Sequence, residues 1–384
     1  MSLTLGSRNG CVMQSEIRAM SIACAHAGGI NLSQGVCDTP VPAEISISTE
    51  ESLRHGYNTY THYAGLGILR EAIAEKQRHY NGLDVDPDSE IVVSAGATGA
   101  MYCAFQALLS PGDEVIVFEP FYGYHISTLV AAEAIPVFVS LDTPGWTFTA
   151  QKLEHVVTSG TKGIILNTPS NPSGKVFSRQ ELEIIAAFAA RYDLFVFTDE
   201  IYEHFVYEGE HCSFASLPGM KARTITVSGF SKTFSITGWR LGYSICDARW
   251  AAAIGYFNDL VYVCAPAPLQ AGVAEGMQRL DEGYYRTLSE VYKEKRDRFC
   301  GVLAEAGLAP FVPQGAYYVL AEVGHLPGET ASERARFILD TTGVACVPGS
   351  AFYGTGRGEN LVRFCYAKED AVLDEACRRL CRLR

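Results

Sequence analysis

The sequence lacks the features that mark nucleic-acid-binding, membrane-spanning and secreted proteins. Its 384 residues carry 31 lysines and arginines against 43 aspartates and glutamates, a formal net charge of −12 at pH 7. This acidic balance disfavours a nucleic acid or an anionic membrane as partner. No apolar run approaches the roughly 20 residues that a membrane-spanning helix needs, and the N-terminus shows no basic-then-apolar signal. We therefore expect a cytoplasmic protein.

Metal-binding and nucleotide-binding signatures are also missing. The twelve cysteines are scattered and form no Cys-x-x-Cys pair, so we predict no metal site. Several cysteines lie inside apolar runs, as buried free thiols do, which fits a reducing compartment. The chain has no Gly-x-Gly-x-x-Gly or Gly-Lys-[Ser/Thr] loop in context, so a plain nucleotide-binding α/β enzyme is not supported.

Strand and helix patterns alternate through the middle of the chain. Short apolar runs stand at 91–94, 115–118, 135–141 and 163–167, with helical patterns between them. This alternation predicts right-handed βαβ units and a mainly parallel sheet. The charged stretch 286–298 predicts a long exposed helix.

One lysine lies in an unusually apolar stretch. Lys232 follows the strand pattern that begins at Arg223, and Phe230 and Phe234 flank it. Sites in α/β sheets usually form just past strand ends. Partial burial and the nearby Arg240 would both lower the pKa of Lys232, which covalent amine chemistry near pH 7 requires. The alternative is a solvated surface lysine, as most lysines are, and the apolar neighbours argue against it.

Other polar residues stand where patterned strands end or cross a core. Asp199 ends an apolar run, where a carboxylate is costly unless it is paired. Arg363 lies inside an apolar strand, so it needs an anion, either an internal carboxylate or that of a substrate. The small-residue turn Gly96-Ala97-Thr98 begins a helix whose free N–H groups suit an anion, although ordinary α/β turns look the same.

The stretch 228–243, Ser-Gly-Phe-Ser-Lys-Thr-Phe-Ser-Ile-Thr-Gly-Trp-Arg-Leu-Gly-Tyr, resembles the cofactor-lysine motif of class I/II aminotransferases. These are fold-type I enzymes that use pyridoxal 5′-phosphate (PLP). Asn-Pro-x-Gly at 171–174 and Asp-x-x-Tyr at 199–202 match the same family, and the resemblance runs from about residue 31 to the C-terminus. It is specific because these motifs occur together and in order.

The resemblance implies an α/β fold, the PLP-transferase fold type I, with a mostly parallel central sheet in a large domain. That large PLP-binding domain would span residues 41–285. A small α+β domain would be formed by both chain ends, from an N-terminal arm at 1–40 and a C-terminal part at 286–384. The related enzymes are obligate dimers with shared active sites, so we expect a homodimer.

The resemblance also implies a role for each matching residue. Lys232 would hold PLP as a Schiff base and act as general base and acid, Asp199 would keep the pyridine nitrogen protonated, and Tyr202 would donate to O3′. Asn171 and Arg363 would bind the substrate carboxylate, and Asn171 would also contact O3′. Seven further residues are predicted cofactor ligands: Gly96, Ala97, Thr98, Tyr122, Ser231, Arg240 and, from the neighbouring subunit, Tyr60. Gly35 is predicted to line the substrate pocket.

One position departs from the family pattern. Gly229 stands where many members carry a phosphate-binding serine three residues before the lysine. Ser228 and Ser231 are both near, which leaves open which hydroxyl reaches the phosphate.

The implied activity is PLP-dependent transamination between an L-amino acid and a 2-oxo acid, with ping-pong kinetics. Short sequence segments such as Leu-Ser-Gln-Gly and Glu-Pro-Phe-Tyr are most similar to those of kynurenine/glutamine and methionine transaminases and cysteine-conjugate β-lyases. Tyr60, Tyr63 and Tyr122 would suit aromatic, sulfur-containing or glutamine-like donors. One alternative is β- or γ-elimination, desaturation or oxidation by the same residues. Another is a non-catalytic regulator, which usually carries an extra DNA-binding domain.

Overall fold

The computed structural model describes residues 16–383, and this span contains twelve α-helices and thirteen strands. The strands are β1 Ile30–Asn31, β2 Ile91–Ser94, β3 Glu114–Glu119, β4 Ile135–Ser140, β5 Thr161–Asn167, β6 Phe195–Asp199, β7 Thr224–Gly229, β8 Gly242–Ile245, β9 Ala309–Phe311, β10 Tyr318–Glu322, β11 Val344–Ala345, β12 Val347–Pro348 and β13 Leu361–Cys365. The helices are α1 Glu16–His26, α2 Ala43–Arg54, α3 Gly67–Asn81, α4 Gly96–Leu108, α5 Gly123–Ala131, α6 Ala150–Val156, α7 Arg179–Arg191, α8 Ala248–Tyr262, α9 Ala267–Arg279, α10 Glu282–Glu305, α11 Ala331–Thr342 and α12 Asp370–Leu380.

The large sheet has seven strands in the order β2-β8-β7-β6-β5-β3-β4. All neighbours are parallel except β8, which runs antiparallel to both β2 and β7. The inner strands β6 and β7 are buried along nearly their whole length, as strands covered by helices on both faces must be. The mainly parallel α/β sheet predicted from the sequence is confirmed.

A second, antiparallel sheet has the order β12-β13-β10-β9. Near it, β1 from the N-terminal part pairs in parallel with β11, so that Ile30 lies opposite Val344. Both ends of the described chain therefore meet in one region, next to the strand that carries Arg363.

The prediction of an exposed helix over 286–298 is wrong for one face of α10. The helix forms, but Lys295 and Arg296 are buried at 4% and 3% exposure. Lys295 pairs with Asp370 at 2.7 Å and Arg296 with Glu208 at 2.9 Å. These partners lie far along the chain, so the charge pattern of the helix alone could not reveal the burial.

Two further properties concern the whole described chain. No helix within residues 16–383 is both long and apolar enough to cross a bilayer. The cysteines in this range are free thiols, and most of them are buried; Cys11 lies outside the described residues.

Candidate active site

A cavity of about 730 Å³ opens where β5, β6 and β7 end. This position follows from the parallel sheet, since the carboxyl ends of adjacent strands lie along one edge. Eleven of the thirteen residues predicted from the sequence line it: Gly35, Ala97, Thr98, Tyr122, Asn171, Asp199, Tyr202, Ser231, Lys232, Arg240 and Arg363.

The other two predicted residues, Gly96 and Tyr60, do not line the cavity. Gly96 is the first residue of α4 and has a φ of 76°; a Cβ there would lie 2.3 Å from Nη2 of Arg240. The missing side chain thus lets the guanidinium lie against the helix start. Tyr60 is 82% exposed, so within one subunit it makes no part of the cavity wall.

Lys232 projects into the cavity from the segment after β7. Its Nζ donates a hydrogen bond to the carbonyl oxygen of Gly35 at 3.0 Å. Burial lowers the pKa of the Lys232 amine, against an opposing effect from the Cys37 thiol, and Arg240 lowers it further. Both causes that the sequence suggested, burial and Arg240, therefore act on this lysine.

Asp199 ends β6 at the cavity and is bound by a histidine that sequence reasoning missed. Nε2 of His125 lies 2.8 Å from Oδ2 of Asp199, and both side chains are at most one-tenth exposed. Oδ1 of Asp199 accepts a weaker bond from the backbone N–H of Ile201 at 3.3 Å. His125 lies in the first turn of α5, an ordinary helix, and no local signal marked it.

Tyr202 forms a pair of phenols with Tyr318, a second residue that the sequence did not indicate. Their hydroxyl oxygens are 3.0 Å apart, and both side chains line the cavity. Burial raises the pKa of Tyr202 well above its usual value, and the nearby Tyr318 adds to the shift. Both phenols are therefore neutral near pH 7, and because only one of them donates within the pair, the other hydroxyl can donate to a ligand.

Arg363 is almost completely buried on β13, at 1% exposure. Nη1 donates to Oδ1 of Asn171 at 2.8 Å, Nη2 donates to the carbonyl oxygen of Ser33, and Nε has no partner. The guanidinium carbon lies 4.4 Å from the ring centre of Tyr318. No carboxylate within residues 16–383 pairs with it, so the internal salt bridge that the sequence left open is not formed there.

The two serines near Gly229 face different surroundings. Oγ of Ser228 donates to Oε1 of Glu203 at 2.8 Å and does not line the cavity, whereas Ser231 does. A Cβ on Gly229 would lie 2.8 Å from the Cα of Gly242 on the neighbouring strand. Of these two serines, Ser231 is therefore the one whose hydroxyl is available to a ligand in the cavity.

A buried charge cluster lies behind this segment. Glu203, at 3% exposure, binds the ammonium of Lys76 and accepts hydrogen bonds from Ser228 and Asn81. Burial alone would raise the pKa of Glu203, but Lys76 and its other polar neighbours lower it to about 2. The cluster ties α3 to β7, which leads to Lys232, and to the segment that follows Asp199 at the end of β6.

Comparison with known proteins gives one consistent result. The family model described as "Aminotransferase class I and II" matches residues 27–380. The chain is 36% identical over 378 residues to kynurenine–oxoglutarate transaminase 3 of Rattus norvegicus, which covers 90% of this chain and 83% of the relative. The solved structure of N-succinyldiaminopimelate aminotransferase from Mycobacterium tuberculosis superposes with a TM-score of 0.96 at 34% identity, over 99% and 100% of the two chains. That of YbdL from Escherichia coli, for which a methionine aminotransferase function was identified, gives 0.94 at 31% identity over 99% of each chain.

Proposed function

Because the chain belongs to the class I and II aminotransferases, and is thus a PLP-dependent aminotransferase, we propose that Lys232 is its cofactor lysine and that its donors are aromatic, sulfur-containing or glutamine-like L-amino acids. The observation that carries the proposal is one cavity that joins Lys232, whose pKa is lowered, to Arg240, Asp199 and Arg363. Apolar lining by Ile22, Met101 and Tyr122 supports the donor class. The names of two relatives, a kynurenine–oxoglutarate transaminase and a methionine aminotransferase, point the same way.

The residues around Lys232 fit PLP. The N-terminus of α4 has no side-chain cap, so its backbone N–H groups are free to bind a phosphate, with Ser231 and Arg240 beside them. Asp199, held by His125, would pair with the pyridine nitrogen. When bound there, PLP supplies an electron sink for the charge that develops at the substrate Cα.

The chain's own side chains would then divide the work. Arg363, which within residues 16–383 has an unpartnered Nε and no paired carboxylate, would bind the α-carboxylate of the amino acid together with Asn171. Its lowered pKa increases the share of Lys232 in the free-amine form, which can remove the proton at the substrate Cα and later return one. The pair of Tyr202 and Tyr318 would supply one neutral hydroxyl donor at the cofactor face.

A second copy of the chain would complete this site. Tyr60, Tyr256 and Leu260 are 82%, 66% and 80% exposed, and the last two stand one helical turn apart on the same face of α8. We propose that this surface is covered in a homodimer and that Tyr60 reaches the phosphate of the neighbouring site. The division into a large domain, 41–285, and a small one, and a cytoplasmic location, are parts of the same proposal.

An absorbance spectrum tests the central claim. Protein reconstituted with PLP should absorb near the visible edge, and borohydride should fix the cofactor to the chain at Lys232. Lys232→Ala should lose both properties, whereas Lys162→Ala, at an exposed lysine outside the cavity, should keep them. Donors are then named by the amino acids that change the spectrum and yield 2-oxo acids.

Three outcomes would contradict the proposal. A protein that cannot be reconstituted with PLP would remove the assignment of Lys232. Release of pyruvate with ammonia, without amino-group transfer, would favour the elimination reaction. Turnover of aspartate alone would refute the proposed donor class.

A further inference from the structure

Two side chains of α8 form a buried network behind the proposed phosphate site. Asn258 is completely buried, and Tyr262, the last residue of this helix, is partly buried. The hydroxyl of Tyr262 donates a hydrogen bond to Oδ1 of Asn258. Neither side chain lines the cavity, so any effect on a ligand there must pass through the segments that these two residues hold.

Tyr262 holds the turn that leads into the proposed phosphate site. Its hydroxyl oxygen accepts the backbone N–H of Ala95 at 3.0 Å, and Ala95 is the single residue between β2 and α4. On the other side of the turn, Oγ of Ser94 donates to the carbonyl oxygen of Gly96 at 3.0 Å. The phenol also packs on the first turn of α4, since a Cβ on Gly99 would lie 3.3 Å from its oxygen. The direction of the free N–H groups at the start of α4 therefore depends on Tyr262.

Asn258 extends the network to the loop that carries Tyr60. Its Nδ2 donates to two carbonyl oxygens, that of Val93 at 3.0 Å and that of Tyr63 at 2.8 Å. Val93 belongs to β2, which leads into the turn, and Tyr63 lies three residues after Tyr60. Because Oδ1 accepts from Tyr262, both N–H groups and the oxygen of this buried amide are bonded. One amide thus fixes the turn and the loop relative to each other.

The backbone directly after Tyr262 is strained. Val263 has a φ of 64° and a ψ of −60°, and the N–H of Cys264 donates to the carbonyl oxygen of Tyr262 at 2.6 Å. This is a γ-turn of the rare kind, in which a β-branched residue is sterically disfavoured. Such strain persists only where the surrounding structure holds it, and it clusters at functional sites. Here it ends α8 at the residue whose hydroxyl binds the turn.

We propose that Tyr262 and Asn258 are positioning residues for the cofactor phosphate. Tyr262 holds the N–H groups at the start of α4 in the direction that the phosphate needs, and Asn258 keeps the loop of Tyr60 in register with them. The inference rests on the proposed function, because it takes the start of α4 as the phosphate site. If the pair only filled the core, its loss would weaken ligands with and without a phosphate equally.

Binding of PLP and of pyridoxal, which lacks the phosphate, separates these two roles. We would strip the full-length protein of cofactor and measure Kd for each compound by fluorescence titration. Tyr262→Phe keeps the ring but leaves the N–H of Ala95 unpaired, so the Kd for PLP should rise about tenfold while the Kd for pyridoxal stays that of wild type. Asn258→Ala should raise the Kd for PLP at least as much, since it also frees the loop. Tyr192→Phe, whose hydroxyl binds Glu154 in an exposed contact away from the cavity, should behave as wild type.

The outcomes distinguish a failure of this inference from a failure of the proposed function. Equal weakening of PLP and pyridoxal in Tyr262→Phe, or an unchanged Kd for PLP, would overturn the positioning role alone. If circular dichroism shows that Tyr262→Phe does not fold, Asn258→Ala, which leaves the phenol in place, gives the same comparison. Wild-type protein that binds neither compound would refute the proposed function, and the inference with it.

Discussion

Replacing Lys76 by methionine tests whether the buried charge cluster supports the strands that carry the site. The Lys76 side chain is 11% exposed and that of Glu203 is 4% exposed, so the pair is largely out of water. Methionine keeps most of the volume but removes the charge, which leaves Glu203 as a buried carboxylate without its cation. Breaking a buried pair in this way costs about 3–5 kcal/mol of unfolding free energy.

The pKa of Glu203 yields an independent figure. It is lowered from 4.5 to about 2 in the folded chain, a difference that corresponds to about 3 kcal/mol of stability at neutral pH. Because the folded pKa is the lower one, this stability is present above about pH 4.5 and is lost as the pH falls towards 2. In Lys76→Met the shift of the Glu203 pKa has the opposite sign, because burial without the cation raises this pKa. As the pH falls, the folded state then binds a proton before the unfolded state does, and this binding stabilises the folded state. The deficit of the variant should therefore shrink between pH 7 and pH 5.

Urea unfolding followed by circular dichroism measures both effects, at fixed protein and PLP concentrations. Lys76→Met should unfold at a clearly lower urea concentration than wild type at pH 7 and less so at pH 5. The double variant Lys76→Met/Glu203→Leu should recover most of the loss, since no charge is then left unpaired. Arg336→Met breaks an exposed pair with Asp340 and should change little. Equal unfolding midpoints for Lys76→Met and Arg336→Met would refute the reasoning.

Three further predictions concern the cavity. Arg363→Lys keeps the charge but loses the paired donors, so the KM for the amino acid should rise by about 10–100-fold in steady-state assays; an unchanged KM would show that the carboxylate binds elsewhere. His125→Asn should lower kcat by about tenfold or more with little change in KM, since it disturbs the carboxylate of Asp199 rather than the substrate contacts, and a normal kcat would contradict this role. Ser231→Ala should weaken PLP binding in a fluorescence titration, whereas Ser228→Ala, whose hydroxyl faces Glu203, should not; the reverse order would show that Ser228 holds the phosphate.

Sequence patterns were sufficient for the frame of the site. The apolar runs placed β2 to β5 within about two residues of their observed bounds, because buried parallel strands are continuous apolar segments between turns. Because β5, β6 and β7 are parallel neighbours, their carboxyl ends lie along the same edge of the sheet. Asn171, Asp199 and Lys232 therefore meet at one cavity, as residues that follow neighbouring strands do.

What the sequence could not reveal are contacts between distant segments. His125 meets Asp199 across 74 residues, and Tyr318 meets Tyr202 across 116. Neither His125 nor Tyr318 belongs to a motif, and each lies in an otherwise ordinary helix or strand pattern. The same reason explains the error over α10, where Lys295 is buried because Asp370, far along the chain, neutralises it. Such pairs depend on how elements pack, which local periodicity does not encode.

The glycine that departs from the family pattern is explained by close backbone packing. Gly229 and Gly242 lie opposite each other on β7 and β8, and a Cβ on Gly242 would lie 2.4 Å from the backbone nitrogen of Ala97. The two strands and the start of α4 therefore touch backbone to backbone. This contact holds the free N–H groups of the helix beside the segment that carries Lys232. A serine at 229 would push the strands apart, since its Cβ alone would come within 2.8 Å of the Gly242 Cα. This packing supports the proposal that the phosphate binds the hydroxyl of Ser231, which lies on the cavity side of the segment.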